Sequence, residues 1–237
     1  EITQTLARLG ATVTLMGRND ALLAERGAEL GDVHGCVPCD VGSVSSVDYA
    51  FTAAIDARGP VDILINNAGV SWGAPLDEFP ELGWDKVMDT NVKGVFFLTQ
   101  KLLPLLRASG TAENPARVVN VGSIDGIKNP VFETFSYGPS KAALHHLTRG
   151  LALHLAPQHI IVNAIAPGPF PTWMLSTGVG GGGDTDIDWS SVANNNPRGR
   201  VGTAEDIAGL SIFLCSRAGA FTVGEVITCD GGVAYAT

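Results

Sequence analysis

The stretch that decides the fold joins an apolar segment to a polar turn and a second, helical segment. It begins Arg117-Val118-Val119-Asn120-Val121-Gly122-Ser123, and it ends Tyr137-Gly138-Pro139-Ser140-Lys141. The first part is rich in valine, which is typical of a buried strand. We therefore predict a strand that ends near Ser123 and a helix over about 136–156.

Tyr137 and Lys141 are four residues apart, so in a helix they lie on one face. A phenol with a pKa of ~10 is a poor acid or base at neutral pH, but a nearby cation favours the phenolate and lowers that pKa. Such a tyrosine can exchange a proton with an alcohol or carbonyl oxygen, and the Ser123 hydroxyl would bind the same oxygen. Alternatively, a Tyr and a Lys at this spacing have no function, since short motifs also arise by chance.

Strand-like and helical segments alternate along the rest of the chain. The predicted strands are 11–16, 34–40, 61–66, 117–121, 159–165 and 225–229. The predicted helices are 1–9, 21–30, 44–57, 82–107 with a bend at Pro104, 136–156 and 203–216. This alternation predicts a single α/β domain over residues 1–237, with a doubly wound, mostly parallel sheet covered on both faces.

Polar or conformationally special residues follow several of the predicted strands. In doubly wound sheets the ligand binds beyond the carboxyl ends of the strands. The residues at these ends are Arg18, Asp40, Asn66, Ser123 and Pro167. Their shared location predicts one binding site.

Composition argues against several classes of function. The net charge of -9 disfavours binding to nucleic acid or to an anionic membrane surface, because both require clustered Lys and Arg. No apolar run reaches ~20 residues and no leader is visible, so we expect a cytoplasmic protein without a membrane span. Cys36 and Cys39 have the spacing of a redox or metal motif without a second pair, and we interpret them as packed thiols. His145 and His146 also lack a second ligand pair, so we predict no metal site.

Four motifs occur in the order typical of one enzyme family. They are Asn66-Asn67-Ala68-Gly69, Ser123, Tyr137-x-x-x-Lys141 and Pro167-Gly168. On an alternating α/β chain, this set resembles the short-chain dehydrogenase/reductase family over essentially the whole sequence. Further segments resemble the 3-oxoacyl reductases of the rhamnolipid-pathway type: Ser71-Trp72-Gly73, residues 102–107 with 112–117, and Tyr137-Gly138-Pro139.

The resemblance implies a role for each residue of the catalytic motif. Tyr137 would be the acid/base, and Lys141 would lower its pKa and bind the nicotinamide ribose. Ser123 would hold the substrate carbonyl. Asn91 would anchor a water molecule in a proton relay, although a helix-kink or capping role is the alternative.

Further positions match residues that contact the cofactor in the family. They are Asp40, at the adenine; Asn67, Ala68 and Gly69, which would stabilise the sheet and approach the cofactor; and Pro167, Gly168 and Thr172, the last at the carboxamide. The glycine at position 69 has a physical explanation, because glycine permits close contact between the backbone and the cofactor. For Asp40, an ordinary helix cap is the alternative.

Arg18 bears on the choice of cofactor. An acidic residue at this strand end would bind the adenosine ribose of NAD, whereas an arginine accommodates the additional phosphate of NADP. The turn reads Gly17-Arg18-Asn19, so we predict NADP(H). The alternative is a solvated surface arginine.

Two regions depart from a simple pattern. The family's first strand and glycine-rich turn do not occur in the sequence, and by analogy with the family layout we expect ~20 residues to precede Glu1 in the natural protein. Residues 169–200 include the glycine run Gly178–Gly183, and we predict a mobile substrate lid there. Aromatic residues on nearby loops would line an apolar substrate cleft, or else pack the lid: Trp72, Phe132, Phe135, Trp173 and Trp189.

Together these features imply an NADP(H)-dependent oxidoreductase acting on a ketone or secondary alcohol, with a 3-oxoacyl thioester as the preferred substrate. Sugar, polyol and steroid substrates remain alternatives, because this fold occurs in enzymes with many different substrates. The alternative from another class is a non-catalytic binding subunit. By family resemblance we also expect a homodimer or homotetramer, with a small-molecule substrate and neither a nucleic-acid nor a membrane partner.

Overall fold

Helices and strands alternate throughout the computed structural model, which describes residues 2–31, 35–52, 59–129, 132–172, 174 and 187–235. The helices are α1 (Ile2–Arg8), α2 (Asp20–Leu30), α3 (Val44–Ala50), α4 (Glu81–Met88), α5 (Gly94–Ser109), α6 (Tyr137–Leu155), α7 (Trp189–Asn194) and α8 (Ala204–Cys215). The strands are β1 (Thr14–Gly17), β2 (Gly35–Pro38), β3 (Ile63–Asn66), β4 (Ala116–Val121), β5 (Ile160–Pro167) and β6 (Val226–Cys229).

All strand pairs are parallel, as the alternating pattern predicts. The strands form two sheets, a four-stranded one in the order β3-β4-β5-β6 and a two-stranded one in the order β1-β2. In the described part of the chain β1 and β3 are edge strands that do not pair with each other. The strand and glycine-rich turn expected before Glu1 remain a prediction.

The four-stranded sheet is packed on both faces. Val118 and Val119 are neighbours in β4, and their side chains enter different apolar clusters because successive side chains of a strand point to opposite faces. Val118 packs with Leu102 and Leu106 of α5, whereas Val119 packs with Leu214 of α8. Each fully buried aliphatic side chain contributes roughly 1.5–3 kcal/mol, so the sheet is a rigid support for the loops at its edge.

The long helix predicted over 82–107 is interrupted by a π-helical turn, Asp89–Lys93. The chain there passes close to the segment after β2, since a Cβ at Gly94 would overlap the Val41 carbonyl. α5 then continues through Pro104 to Ser109. Turns of this kind are frequent at functional sites, and this one contains Asn91.

α6 begins at Tyr137, close to the predicted start, and packs against β5. Between β4 and α6 the chain forms a short 3-10 helix, Ile124–Gly126, with Ser123 as its N-cap. In the portion of the chain that the structure describes, no helix has the length and apolar character needed to cross a bilayer.

Candidate active site

Ser123 lies directly beyond the carboxyl end of β4, as predicted. Its side chain is 8% exposed, and its hydroxyl accepts a hydrogen bond from the Asp125 amide at 3.1 Å. The same side chain is close enough to the Tyr137 phenol to act as its hydrogen-bonding partner and lower its pKa. The strand end and the first turn of α6 therefore meet at these two oxygen atoms.

Lys141 lies one helical turn after Tyr137 on α6. Its Nζ is 5.6 Å from the centroid of the Tyr137 ring and donates to the Val121 carbonyl at 2.8 Å. The side chain is buried. The structure thus brings Ser123, Tyr137 and Lys141 together, as predicted.

Burial dominates the ionisation of these groups. It raises the pKa of Tyr137 to about 12, against the opposing effect of the Ser123 hydrogen bond and with a smaller contribution from Asp125. Burial also lowers the pKa of Lys141 to about 8. The shift of the Tyr137 pKa is opposite to the one expected from Lys141 alone, because the cost of removing the phenolate from water outweighs the effect of the Ser123 hydrogen bond, and the Asp125 charge adds to that cost.

Asn91 joins the loop after β3 to α6. Its Oδ1 accepts from the Val70 amide at 2.9 Å, and its Nδ2 donates to the Val70 carbonyl and to the Ser140 hydroxyl, each at 2.9 Å. Ser140 in turn donates to the Tyr137 carbonyl at 2.7 Å. The sequence analysis missed Ser140, although its position between Tyr137 and Lys141 was a usable signal.

The Asn67-Ala68-Gly69 turn follows β3 and approaches the same point. A Cβ at Gly69 would lie 3.3 Å from Lys141 Nζ and 3.5 Å from Asn91 Oδ1. Such contacts are tighter than or close to van der Waals distance, so a larger residue would press on both side chains. Asn67 and Ala68 are exposed beside this contact.

A cleft of about 130 Å³ lies between the two sheets, at the carboxyl ends of β1, β2 and β3. Its walls are Met16, Gly17, Arg18, Cys39, Asp40, Val41, Ala68, Gly69, Val70 and Thr90. Arg18 is exposed at this cleft. Asp40 accepts from the Gly42 amide at 3.0 Å, while Ser43 is the N-cap of α3, so the capping alternative for Asp40 does not hold.

The remaining predicted cofactor positions follow β5. Pro167 ends the strand, and the Gly168 amide donates to the Cys229 carbonyl at 3.0 Å. A Cβ at Gly168 would lie 2.6 Å from Asp230 Cβ, which accounts for the glycine. Thr172 is exposed. Much of the predicted lid, residues 173 and 175–186, lies outside the described residues.

The aromatic residues expected in the substrate cleft are only partly accounted for. Phe135 is exposed and makes an edge-to-face contact with Phe79, with centroids 5.9 Å apart. Trp72 lies against Gly83, and its ring is 5.5 Å from Lys86 Nζ. Trp173 lies outside the described part of the chain.

Asp125 and His145 lie near Ser123, Tyr137 and Lys141 and were not predicted as part of the site. Burial raises the pKa of Asp125, and the nearby Lys128 partly offsets this effect. The Asp125 charge also raises the Tyr137 pKa. Asp125 is two residues after Ser123 and His145 four after Lys141, so the usable signals were proximity in sequence and the helical repeat.

Comparison with known proteins identifies the family. The family described as enoyl-(acyl carrier protein) reductase matches residues 1–234. The chain is 43% identical over 233 residues to the rhamnolipids biosynthesis 3-oxoacyl-[acyl-carrier-protein] reductase of Pseudomonas aeruginosa, covering 98% of this chain and 90% of that protein. It is 35% identical over 232 residues to the gluconate 5-dehydrogenase of Gluconobacter oxydans, covering 96% and 87%.

The fold is likewise that of a solved relative. The Pseudomonas aeruginosa RhlG/NADP active-site complex superposes with a TM-score of 0.89 at 42% identity, covering 98% of this chain and 90% of that chain. With the family match, the parallel α/β fold and the meeting of Ser123, Tyr137 and Lys141, this protein belongs to the short-chain dehydrogenase/reductase family of oxidoreductases.

Proposed function

We propose that the protein is an NADP(H)-dependent reductase that converts a ketone to a secondary alcohol, and catalyses the reverse reaction. The observation that supports this most directly is the placement of the Tyr137 phenol, with the Ser123 side chain acting on its pKa and the Lys141 ammonium beside its ring. Two hydroxyl groups at one point can bind and protonate a single carbonyl oxygen.

Tyr137 is the proton donor in the reduction direction. Because burial raises its pKa to about 12, the phenol carries its proton at neutral pH. When the carbonyl carbon gains a hydride, the oxygen takes the Tyr137 proton, and the phenolate is reprotonated from solvent. Ser123 orients the carbonyl, and the positive charge of Lys141 stabilises the phenolate.

Asn91 is proposed to keep this arrangement in place. Both N–H groups of its side chain are engaged, one with Val70 and one with Ser140. Ser140 holds the Tyr137 backbone, so Asn91 stabilises the position of the proton donor. The role of Asn91 in a water-mediated relay stays a prediction.

The residues at the strand ends fit a dinucleotide. A bound reduced nicotinamide supplies the hydride. The cleft between the sheets is lined by Arg18 and Asp40, and the small Gly69 leaves room beside Lys141. Arg18 provides the positive charge that an adenosine phosphate requires, which supports NADP(H) over NAD(H), and the RhlG relative was solved as an NADP complex. Asn67, Ala68, Pro167, Gly168 and Thr172 are proposed to complete the cofactor site.

For the substrate, we propose a 3-oxoacyl thioester or a similar ketone with an apolar tail. The 43% identical relative is a 3-oxoacyl-[acyl-carrier-protein] reductase, and exposed aromatic side chains such as Phe132 and Phe135 offer an apolar surface. A polyol or sugar acid is the second candidate. It is supported by the Asp125 carboxylate near Tyr137, which can accept hydrogen bonds from substrate hydroxyls, and by the likeness to a gluconate 5-dehydrogenase.

A substrate panel tests both proposals. The purified protein is given NADPH with acetoacetyl-coenzyme A, ethyl acetoacetate, 5-ketogluconate or a ketosteroid, and the loss of reduced nicotinamide absorbance is followed. We expect the highest kcat/KM with acetoacetyl-coenzyme A. A preference for 5-ketogluconate would favour the second candidate, and no turnover with any ketone would support a non-catalytic subunit.

We further propose a cytoplasmic homodimer or homotetramer whose interfaces include α6 and the region of β6. Leu153 on α6 is 83% exposed and Phe221 before β6 is 101% exposed, so both apolar side chains are available to pack against a second copy of the chain. The four cysteines are free thiols, as in a reducing compartment. Light scattering of the purified protein tests the assembly, and a monomer would contradict it.

A further inference from the structure

His145 lies one helical turn beyond Lys141 on the buried face of α6. Its side chain is 3% exposed. A Cβ at Gly122 would overlap its Nε2, and a Cβ at Gly126 would lie 2.8 Å from its Cε1. The imidazole therefore contacts the backbone immediately before Ser123 and again three residues after it.

The ring is neutral and bonded to this turn. Burial and the charges of Lys141 and Arg149 lower the pKa of His145 to about 4, so the imidazole has one N–H at neutral pH. The ring is hydrogen-bonded to the Gly126 backbone. Because the Gly126 amide already donates to the Ser123 carbonyl at 3.1 Å, the carbonyl oxygen of Gly126 is left as the acceptor.

The second ring nitrogen shows that packing alone does not explain a histidine here. Nε2 is buried and has no hydrogen-bond partner among the described residues. A buried polar atom without a partner is destabilising, and an aliphatic side chain of similar size would fill the space without that penalty. What an imidazole adds is the Nδ1–H donor to Gly126.

The turn that His145 contacts also carries Ser123. The Ser123 hydroxyl accepts from the Asp125 amide, and the Ser123 carbonyl accepts from the Gly126 amide. These bonds make residues 123–126 one short 3-10 unit. A restraint at Gly126 consequently restrains Ser123 as well.

We propose that His145 is a positioning residue whose imidazole fixes the Ser123–Gly126 turn to α6 and thereby keeps the Ser123 hydroxyl within hydrogen-bonding distance of Tyr137. This inference rests on the acid–base function proposed above for Tyr137 and Ser123. His145 acts through Ser123, because its contacts are with the backbone on either side of that residue.

The kinetic test compares an apolar with a polar replacement of similar size. His145→Leu loses the donor, and His145→Asn keeps an N–H group near the position of Nδ1. With NADPH and ethyl acetoacetate, we expect His145→Leu to lower kcat by ~10-fold or more with little change in KM, as misplaced catalytic groups do. His145→Asn should restore most of kcat. The control is His146→Leu, the exposed neighbour on the same helix, which should retain activity.

A double-mutant cycle separates positioning from general stability. If His145 acts through Ser123, His145→Leu should have almost no further effect on kcat in a Ser123→Ala background. Independent, multiplicative losses would overturn the proposal, as would equal activity of His145→Leu and His145→Asn. If His145→Leu does not fold, His145→Met replaces it in both comparisons.

Amide hydrogen exchange provides a readout that needs neither cofactor nor ketone. In His145→Leu the amides of Asp125 and Gly126 should exchange faster than in the unmodified protein, while that of Val119 in β4 is unchanged. Unaltered exchange in the turn would overturn the inference. Since this measurement is independent of turnover, it decides the role of His145 even if the proposed reaction proves wrong.

Discussion

The Asn91 side chain donates a hydrogen bond to the Ser140 hydroxyl at 2.9 Å, and the Ser140 hydroxyl in turn donates to the Tyr137 carbonyl at 2.7 Å. Asn91 lies in the π-helical turn before α5, whereas Ser140 lies in the first turns of α6. This pair therefore connects two elements that are far apart in sequence. We infer that this pair keeps Tyr137, the proposed proton donor, in position.

Replacing Asn91 by Ala should reduce stability and activity together. The change leaves the backbone of Val70 without its two side-chain bonds, and unsatisfied buried polar groups cost ~1–3 kcal/mol each. We expect a lower urea midpoint and a reduced kcat. Asn129→Ala, at an exposed position, is the control, and equal midpoints for the two variants would contradict the tethering role.

Tyr137→Phe should abolish turnover while leaving the fold intact. The change removes only the hydroxyl, and loss of general acid catalysis costs ~10²–10⁴-fold in rate. The measurements are kcat with NADPH and a ketone, and the thermal unfolding midpoint. Tyr49→Phe serves as the control because Tyr49 is 73% exposed. A Tyr137→Phe protein with normal kcat would rule out the mechanism.

Arg18→Asp should shift the cofactor preference from NADPH towards NADH. The substitution removes the positive charge at the cleft and introduces a carboxylate, which repels a phosphate and can bind ribose hydroxyls. We expect kcat/KM for NADPH to fall by at least ~10-fold, the usual scale for a lost charge-assisted contact. The control is Arg107→Gln, at the far end of α5. An unchanged preference would mean that Arg18 is a solvated surface residue.

Protonation of His145 should destabilise the protein in mild acid. The folded state holds this pKa at about 4, below its usual 6.5, so the unfolded chain binds more protons between these values. Stability is then lost as the pH falls from about 6.5 to about 4, by at most about 3 to 4 kcal/mol at ~1.4 kcal/mol per pKa unit. Urea unfolding across this range should show a weaker pH dependence in His145→Asn, and identical slopes would argue against a buried neutral imidazole.

Asp125→Asn should move the pH profile of the oxidation reaction. The Asp125 charge contributes to the raised Tyr137 pKa, so its removal lowers that pKa and makes the phenolate accessible at lower pH. The measurement is kcat/KM for alcohol oxidation against pH, with Asp77→Asn, an exposed acidic residue, as the control. An unchanged pH profile would show that the Asp125 charge does not act on Tyr137.

Much of the fold could be predicted from local pattern. The valine-rich β4 and the helix that starts at Tyr137 were predicted to within one or two residues, because burial on both sheet faces and a regular helical repeat leave strong periodic signals. The interruption of the helix at residues 89–93 was expected only as the helix-kink alternative for Asn91, and its extent could not be predicted. It accompanies the close approach of Gly94 to Val41, a contact between distant parts of the chain that no local pattern encodes.

The sequence by itself determined which groups meet at the site, since Ser123 ends a strand and Tyr137 and Lys141 share a helical face. It could not determine their ionisation. The expectation that Lys141 lowers the pKa of Tyr137 considered only the attraction between the ammonium and the phenolate. The pKa of Tyr137 is instead governed by burial under neighbouring elements. Likewise His145 and Ser140 acquire their contacts only when α6 packs against the β4 turn and the π-helical turn. Desolvation and packing are properties of the assembled tertiary structure, and only that structure decided them.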